Sequence, residues 1–206
     1  SGNVILAFDK WFKEQFMAPG AEWTGESIRN SWEDIIYSMN QKIKEYGASQ
    51  GVEMGTTITA VLFLKDKYYA IHVGDSRLYE LSDGCRQITE DQTLIARELA
   101  QGIITKEQAL TDSRRNVLLQ CIGVTQKLLP AFYSGNINGE AAYLVCSDGF
   151  RHVITPDEIY QLCRPLQNLT QKVMQVNLTS LVERVKQRGE RDNISAVLIQ
   201  VGRETC

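Results

Sequence analysis

Three aspartates in this chain lie next to apolar, β-branched or aromatic runs that are typical of strands. Asp75 and Asp148 each come just after such a run, and Asp192 comes just before one. Carboxylate oxygens are ligands that Mg²⁺ and Mn²⁺ prefer, and rigid strands can hold ligands from distant parts of a chain at the separations that a metal pair requires. The three residues therefore indicate a site for hard divalent metal ions.

The residues around these aspartates form three short motifs, Gly74-Asp75-Ser76-Arg77, Ser147-Asp148-Gly149 and Asp192-Asn193. In this order and at these intervals they resemble the later motifs of the metal-dependent type 2C (PPM) protein serine/threonine phosphatases. Residues 88–125 also resemble the bacterial branch of that family, which carries a flap-like helical insertion there. We take membership of this family as the hypothesis that the structure should test.

The resemblance implies a reaction and a set of metal-binding residues. Family members hydrolyse phosphoserine and phosphothreonine in proteins with a water molecule activated by two Mg²⁺ or Mn²⁺ ions, and a third ion binds more weakly. By motif, Asp148 and Asp192 are metal ligands, and Asp75 helps to hold the weaker ion. Gly149 belongs to the same site because it lets the backbone approach the metal ions closely. Asp75 has an alternative structural role, as a hydrogen-bond partner of Arg77 or of nearby backbone.

Two other motifs of the family are missing from these residues. The family begins with a strand that carries an Arg and a Glu-Asp pair, followed by a strand that ends in Asp-Gly-x-Gly-Gly, and the absent aspartate is the one that bridges the two metal ions. We favour an incomplete phosphatase, because the remaining motifs are intact. The alternative is an inactive pseudophosphatase that binds phosphoproteins or regulatory partners. In either case we expect weak metal binding and little activity from these 206 residues alone, with exposed apolar surface and strand edges.

Several other residues are weaker candidates for chemistry. Cys146 is followed by Arg151 with four intervening residues, too few for the Cys-x5-Arg loop of cysteine phosphatases, so we expect a packed core cysteine. His152 is a candidate metal ligand or proton carrier beside Asp148. Arg114 and Arg115 are candidates for contact with acidic or phosphorylated substrate, with a solvated helix end as the alternative.

Composition narrows the class of protein. The length of 206 residues and a hydrophobic content of 43% suit one globular domain, 1–206. A net charge of −3 argues against nucleic-acid binding. No apolar run approaches the roughly 20 residues of a membrane helix, and no signal-peptide pattern occurs at the N-terminus, so we expect a cytoplasmic protein that does not bind membranes. The expected partners are phosphorylated proteins, in particular targets of Ser/Thr kinases.

Hydrophobic periodicity and turn residues predict the elements that must position these motifs. In chain order they are helices at 4–16 and 26–48, a hairpin of strands 56–64 and 67–73, a strand at 77–81, helices within 91–110, a second hairpin of strands 127–134 and 141–146, helices at 155–163 and within 166–188, and a strand at 194–201. Hairpins rather than βαβ units favour antiparallel sheets covered by helices, an α+β fold. The family resemblance implies an αββα sandwich whose N-terminal strands are missing.

Overall fold

Seven α-helices, one π-helix and seven strands form the part of the chain that the computed structural model describes, residues 1–137, 139–165 and 170–202. The helices are α1 (Gly2–Trp11), which continues into the π-helix Phe12–Phe16, α2 (Gly25–Gln50), α3 (Leu94–Ala100), α4 (Lys106–Thr111), α5 (Asp148–Arg151), α6 (Pro156–Cys163) and α7 (Gln171–Gln187). The strands are β1 (Ile58–Leu64), β2 (Lys67–Val73), β3 (Arg77–Leu81), β4 (Cys85–Gln87), β5 (Ala131–Asn136), β6 (Ala141–Cys146) and β7 (Ala196–Val201).

The chain divides into two compact units. The first comprises Ser1–Leu64, Tyr69–Gly74 and Asp91–Ser134, and the second comprises Lys65–Tyr68, Asp75–Glu90 and Gly135–Cys206. In the first unit the apolar faces of α1 and α2 pack with β2, and Trp11, Trp32 and Ile71 are buried in this core. Helix α2 begins at a capping box between Thr24 and Ser27, which satisfies the first backbone N–H groups.

The second unit is built on a four-stranded antiparallel sheet in the order β4-β3-β6-β7. Its core contains buried side chains from β6, α5, α6 and α7, among them Leu144, Phe150, Ile159 and Leu181. Helix α6 begins with Thr155 as N-cap in a capping box, as its sequence predicts. The remaining three-stranded sheet has the order β1-β2-β5.

Most predicted elements are confirmed, including the α+β class and the bounds of β3 and β6. The second hairpin is wrong. Strand β6 pairs with β3 on one side and β7 on the other, so it has no free edge for β5, which joins the other sheet. The short strand β4 and the single-turn helix α5 were not predicted, and residues 166–169 of the last predicted helical region lie outside the described residues. The single-domain assignment and the flap function of residues 88–125 stay predictions.

Exposed apolar side chains occur on α1, where Ile5 and Leu6 are each 64% exposed. Strand β1 lies at an edge of its sheet in the described part of the chain. The expected effect of the missing motifs on this surface stays a prediction. Within the same described ranges, no helix combines the length and the apolar character that crossing a membrane requires.

The buried side chain of Asn40 connects α2 to the loop that follows residue 120. Its Oδ1 accepts a hydrogen bond from Gly123 N at 2.6 Å, and its Nδ2 donates to Thr125 O at 3.2 Å. We expect Asn40→Ala to lower the free energy of unfolding by about 1–3 kcal/mol, because it leaves buried backbone groups unpaired. Chemical denaturation measures this loss. Asn30→Ala, at an exposed position of the same helix, is the control, and an equal effect of both substitutions would contradict the assignment.

The carboxylate of Glu158 connects α6 to α7. It accepts hydrogen bonds from Arg188 Nη2 at 2.6 Å, from Thr155 N at 3.0 Å and from Arg184 Nη1 at 3.0 Å. Arg188, followed by the Thr155 N–H, holds the pKa of Glu158 well below its ordinary value of 4.5. A carboxyl group with a depressed pKa in the folded state stabilises the protein above its unfolded pKa, and this contribution is lost as the pH falls below it.

We therefore expect Glu158→Gln to lower the melting temperature at pH 7, and we expect the difference from the parent protein to shrink as the pH is lowered below about 4.5. Thermal unfolding followed by circular dichroism across this pH range is the measurement. Glu183→Gln is the control, because Glu183 pairs only with a lysine of its own helix among the contacts described. A Glu158→Gln difference that did not change with pH would count against the ion pairs as its cause.

Candidate metal centre

The register of the four-stranded sheet places the three predicted motifs at the same end of the sheet. Arg77, at the start of β3, is the partner of Cys146, at the end of β6. Cys146 is in turn the partner of Ala196, at the start of β7. Since Asp75, Asp148 and Asp192 lie just outside these three strand ends, antiparallel pairing brings their backbone segments to one edge.

Ser147 ties the corner after β6 to the corner before β7. Its Oγ accepts a hydrogen bond from Ser195 N and donates one to Asn193 O, each at 3.0 Å. Its own backbone N–H donates to Ser195 O at 2.9 Å. These bonds continue the ladder past the last residue pair of the two strands, so that Asp148 and Asp192 are held on neighbouring segments.

Gly149 allows those two segments to approach each other. A Cβ atom at this position would lie 2.7 Å from Asn193 O and 3.1 Å from Asp192 Cβ. Both distances are shorter than ordinary contacts, and the first is to a backbone atom that cannot rotate away. Any side chain at Gly149 would therefore push the two corners apart. Gly149 is predicted to permit close backbone approach to the metal ions, and the close approach observed at Gly149 is to the Asp192-Asn193 segment.

Each carboxylate of the pair accepts a hydrogen bond from the next backbone amide. Asp148 Oδ1 accepts from Gly149 N at 2.9 Å, and Asp192 Oδ1 accepts from Asn193 N at 2.6 Å. His152 lies beside them, with its Nε2 3.9 Å from Asp148 Oδ2 and its Nδ1 3.2 Å from Glu190 Oε2. His152 thus lies beside Asp148, its role as a metal ligand or proton carrier stays a prediction, and Glu190 is an additional carboxylate at this corner.

Glu190 is held in place by the backbone of the Asp192 corner. Its Oε1 accepts from Arg191 N at 2.8 Å and from Asp192 N at 3.0 Å. The N–H of Asp192 lowers the pKa of Glu190 most, and the N–H of Arg191 and the imidazole of His152 add to this effect against the opposing influence of burial. Glu190 is therefore an ionised acceptor that orders the loop and one side of His152.

Asp75 is connected to the same corner through Arg151 of α5. Arg151 Nη2 donates to the backbone carbonyl of Asp75 at 3.2 Å. This bond anchors the main chain of the Gly-Asp-Ser-Arg motif and leaves the role of the Asp75 carboxylate to be tested. Arg77, which the sequence offered as its structural partner, donates to Tyr79 Oη at 2.9 Å.

The donor atoms at this end of the sheet suit a hard divalent ion in kind, because Asp75, Asp148 and Asp192 all offer carboxylate oxygens. Among residues 1–137, 139–165 and 170–202, however, no group of three or more His, Cys, Asp or Glu side chains lies close enough together to hold an ion. The role of Asp75, Asp148 and Asp192 as metal ligands therefore stays a prediction.

Two other residues that the sequence offers as candidates for chemistry are Cys146 and Arg114. Cys146 is buried, and burial raises the pKa of its thiol to about 12, so it is a core residue rather than a nucleophile. Arg114 forms ion pairs with Asp112 and Glu98, each at 2.8 Å. Its guanidinium thus joins the segment after α4 to Glu98 of α3, and the two alternatives given for it, a substrate contact or a solvated helix end, stay predictions.

Three contributors to this corner were not predicted as site residues. The position of Ser147 in the sequence could have identified it, because a hydroxyl directly after an apolar strand often forms hydrogen bonds with neighbouring backbone. Glu190 follows Gly189, whose φ of +85° marks a turn before Asp192. Arg151 was considered only as a partner of Cys146, and its bond to Asp75 links residues that are 76 positions apart. No local pattern in the sequence reveals that contact.

Comparison with known proteins gives relatives in sequence and in structure, although no protein-family model matches the chain. The serine/threonine phosphatase stp of Listeria innocua is 29% identical over 180 residues, which are 86% of this chain and 69% of that protein. The S. agalactiae serine/threonine phosphatase has a TM-score of 0.83 and 25% identity, covering 97% of this chain and 80% of its own. The catalytic domain of the serine/threonine protein phosphatase PstP, solved in complex with 2 manganese ions, has a TM-score of 0.76 and 25% identity, covering 97% and 79%.

The contact at Gly149 can be tested by adding one methyl group. Alanine would normally be favoured over glycine in a helix by up to about 1 kcal/mol. We expect Gly149→Ala instead to lower the free energy of unfolding by about 1–3 kcal/mol, because the new Cβ overlaps the Asn193 carbonyl. Chemical denaturation measures the change. Gly84→Ala is the control, since a Cβ there meets nothing within 4 Å, and a Gly149→Ala protein as stable as the parent would contradict the close approach.

Proposed function

We propose that the chain is a member of the type 2C (PPM) family of protein serine/threonine phosphatases and that it hydrolyses phosphoserine and phosphothreonine in proteins. In this proposal the chain carries most of the catalytic domain. The observation that carries it is the convergence of the Gly74-Asp75, Ser147-Asp148 and Asp192-Asn193 corners at one end of the β3-β6-β7 ladder. The proteins that this chain resembles in sequence and in structure are themselves named serine/threonine phosphatases.

Divalent metal ions are part of the proposal. We propose Asp148 and Asp192 as ligands of the principal ions, Asp75 as a ligand of a further ion, and Gly149 as the position that lets the backbone approach them closely. When bound, a divalent ion supplies Lewis-acid stabilisation of phosphoryl charge and a nucleophilic water at neutral pH. The solved PstP domain with its manganese ions supports a divalent metal. We propose Mn²⁺ or Mg²⁺, with two or three ions.

The protein's own contribution is to orient the carboxylates and to limit their motion. Gly149 N and Asn193 N each bind one oxygen of the preceding aspartate, which fixes the direction of its second oxygen. Ser147 keeps the two corners together, and Glu190 holds the imidazole of His152 near Asp148. Such fixed orientation lowers the cost of assembling a charged site, because the ligands are already in place before an ion or a phosphate arrives.

The proposed substrates are phosphorylated proteins, and more specifically targets of Ser/Thr kinases. The support for these substrates is the resemblance to the family. We also propose that residues 88–125 act as a flap that influences substrate access. The alternative function, an inactive module that binds phosphoproteins, has no observation in its favour. This alternative predicts that the parent protein does not hydrolyse the phosphopeptide in the experiment that follows.

Removing the carboxylate charge tests the proposed ligands. We expect Asp148→Asn and Asp192→Asn each to lower kcat/KM for a phosphoserine peptide at least about 100-fold, since even outer partners of metal ligands contribute about 10–100-fold. The assay uses the full natural polypeptide that contains these residues. Hydrolysis is measured against Mn²⁺ concentration, before and after treatment with EDTA.

Asp34→Asn provides the matched control, because Asp34 is exposed on α2 and belongs to the other unit. It should retain the parent activity. Hydrolysis by the parent that persists in EDTA, or that survives both substitutions at the proposed ligands, would refute the metal-dependent reaction. An inactive parent that still binds the phosphopeptide would instead support the pseudophosphatase.

A further inference from the structure

The backbone of Gly74, directly before Asp75, is held by the side chain and the main chain of one residue. Gly74 N donates to Gln92 Oε1, and Gln92 N donates to Gly74 O, both at 2.8 Å. His72 Nε2 lies 2.9 Å from the same carbonyl oxygen. Gly74 therefore has both of its polar backbone atoms engaged, two of the three bonds being made by Gln92.

The conformation that these bonds hold is open only to glycine. The φ angle of Gly74 is +116°, and a Cβ atom there would lie 2.3 Å from Thr57 Cγ2. A glycine has more accessible backbone conformations than any other residue, so its geometry must be imposed by its neighbours. Gln92 is the neighbour that binds both the backbone N–H and the backbone carbonyl of Gly74.

Gln92 is also fixed from the opposite side. Its backbone carbonyl accepts from Leu119 N at 2.8 Å, and its Nε2 lies within hydrogen-bonding distance of Leu129 O at 3.4 Å. All four polar groups of the residue are thus in use. The side-chain amide must point its oxygen at Gly74 and its nitrogen at Leu129, an arrangement that a carboxylate cannot reproduce because it has no donor.

We propose that Gln92 is a positioning residue for the Asp75 carboxylate. By fixing Gly74, it restricts the backbone from which Asp75 projects, and it couples that backbone to the segment around Leu119 and Leu129. The two bonds from Gln92 to Gly74 thus constrain the main chain directly before Asp75. The inference rests on the proposed function, because Asp75 is taken as a metal ligand.

Two substitutions of Gln92 and one matched control test the proposal. Gln92→Met keeps the size of the side chain and removes its polar atoms, whereas Gln92→Glu keeps the acceptor for Gly74 N. Gln120→Met is the control, because Gln120 Oε1 accepts from Leu129 N at 2.9 Å and makes no described contact with Gly74. Melting temperatures of the three variants establish that each is folded.

The first readout is amide hydrogen exchange at Gly74, followed by NMR. The second is the Mn²⁺ concentration that gives half-maximal hydrolysis, in the polypeptide used to test the proposed function. We expect Gln92→Met to speed exchange at Gly74 and to raise the Mn²⁺ requirement about tenfold, as loss of an outer partner of a metal ligand does. Gln92→Glu should restore protection of the Gly74 amide, and Gln120→Met should leave both readouts at parent values.

Unchanged exchange at Gly74 in Gln92→Met would overturn the proposal, as would faster exchange with an unchanged Mn²⁺ requirement. Equal effects of Gln120→Met would also overturn it, since they would reflect general loosening of the loop. If the parent shows no metal-dependent turnover, the proposed function fails, and Mn²⁺ binding by calorimetry replaces the second readout. Weaker binding in Gln92→Met alone would then still support the positioning role, and equal binding would reject it.

Discussion

The antiparallel register of β3, β6 and β7 is the constraint on which the candidate site depends. Cys146 of the central strand is paired with Arg77 on one side and with Ala196 on the other. A slip of one residue on either side would exchange the two faces of the slipped strand. Because β6 is buried on both faces, its neighbours could not shift without repacking both cores. This constraint fixes the register, and the register fixes which strand ends meet.

Strand pairing brings the corners near each other but does not determine their conformation. Backbone groups beyond the last ladder pair need other partners, and here side chains provide them. Ser147 binds the carbonyl of Asn193 and the N–H of Ser195, and Arg151 donates a hydrogen bond to the carbonyl of Asp75. The same principle operates at Gly74, whose backbone is completed by Gln92. Corners that depend on single side chains in this way are sensitive to substitutions that leave the sheet intact.

The parts of this fold that could be predicted are those whose signals are local. Strands β3 and β6 were predicted with their observed bounds, and the helix predicted at 155–163 is observed as α6, whose capping box at Thr155 involves only neighbouring residues. The proposed hairpin of β5 and β6 failed because a turn signal says where the chain bends and not which strand will be its neighbour. The motif aspartates could be placed at strand ends, whereas the bonds of Glu190 and Arg151 depend on three-dimensional contacts that no spacing encodes.

The two aspartates at the centre of the candidate site show how short-range and long-range order combine. Each accepts a hydrogen bond from the amide of the residue that follows it, so the orientation of its carboxylate is set within two residues. The separation of Asp148 from Asp192 is set instead by the sheet, by Ser147 and by the missing side chain of Gly149. The orientation of each carboxylate is therefore set by the adjacent residue, and the distance between the two is set by contacts between distant parts of the chain. In a pair of carboxylates arranged in this way, the orientation of each group depends on the adjacent amide, and the spacing of the two depends on the end of the ladder.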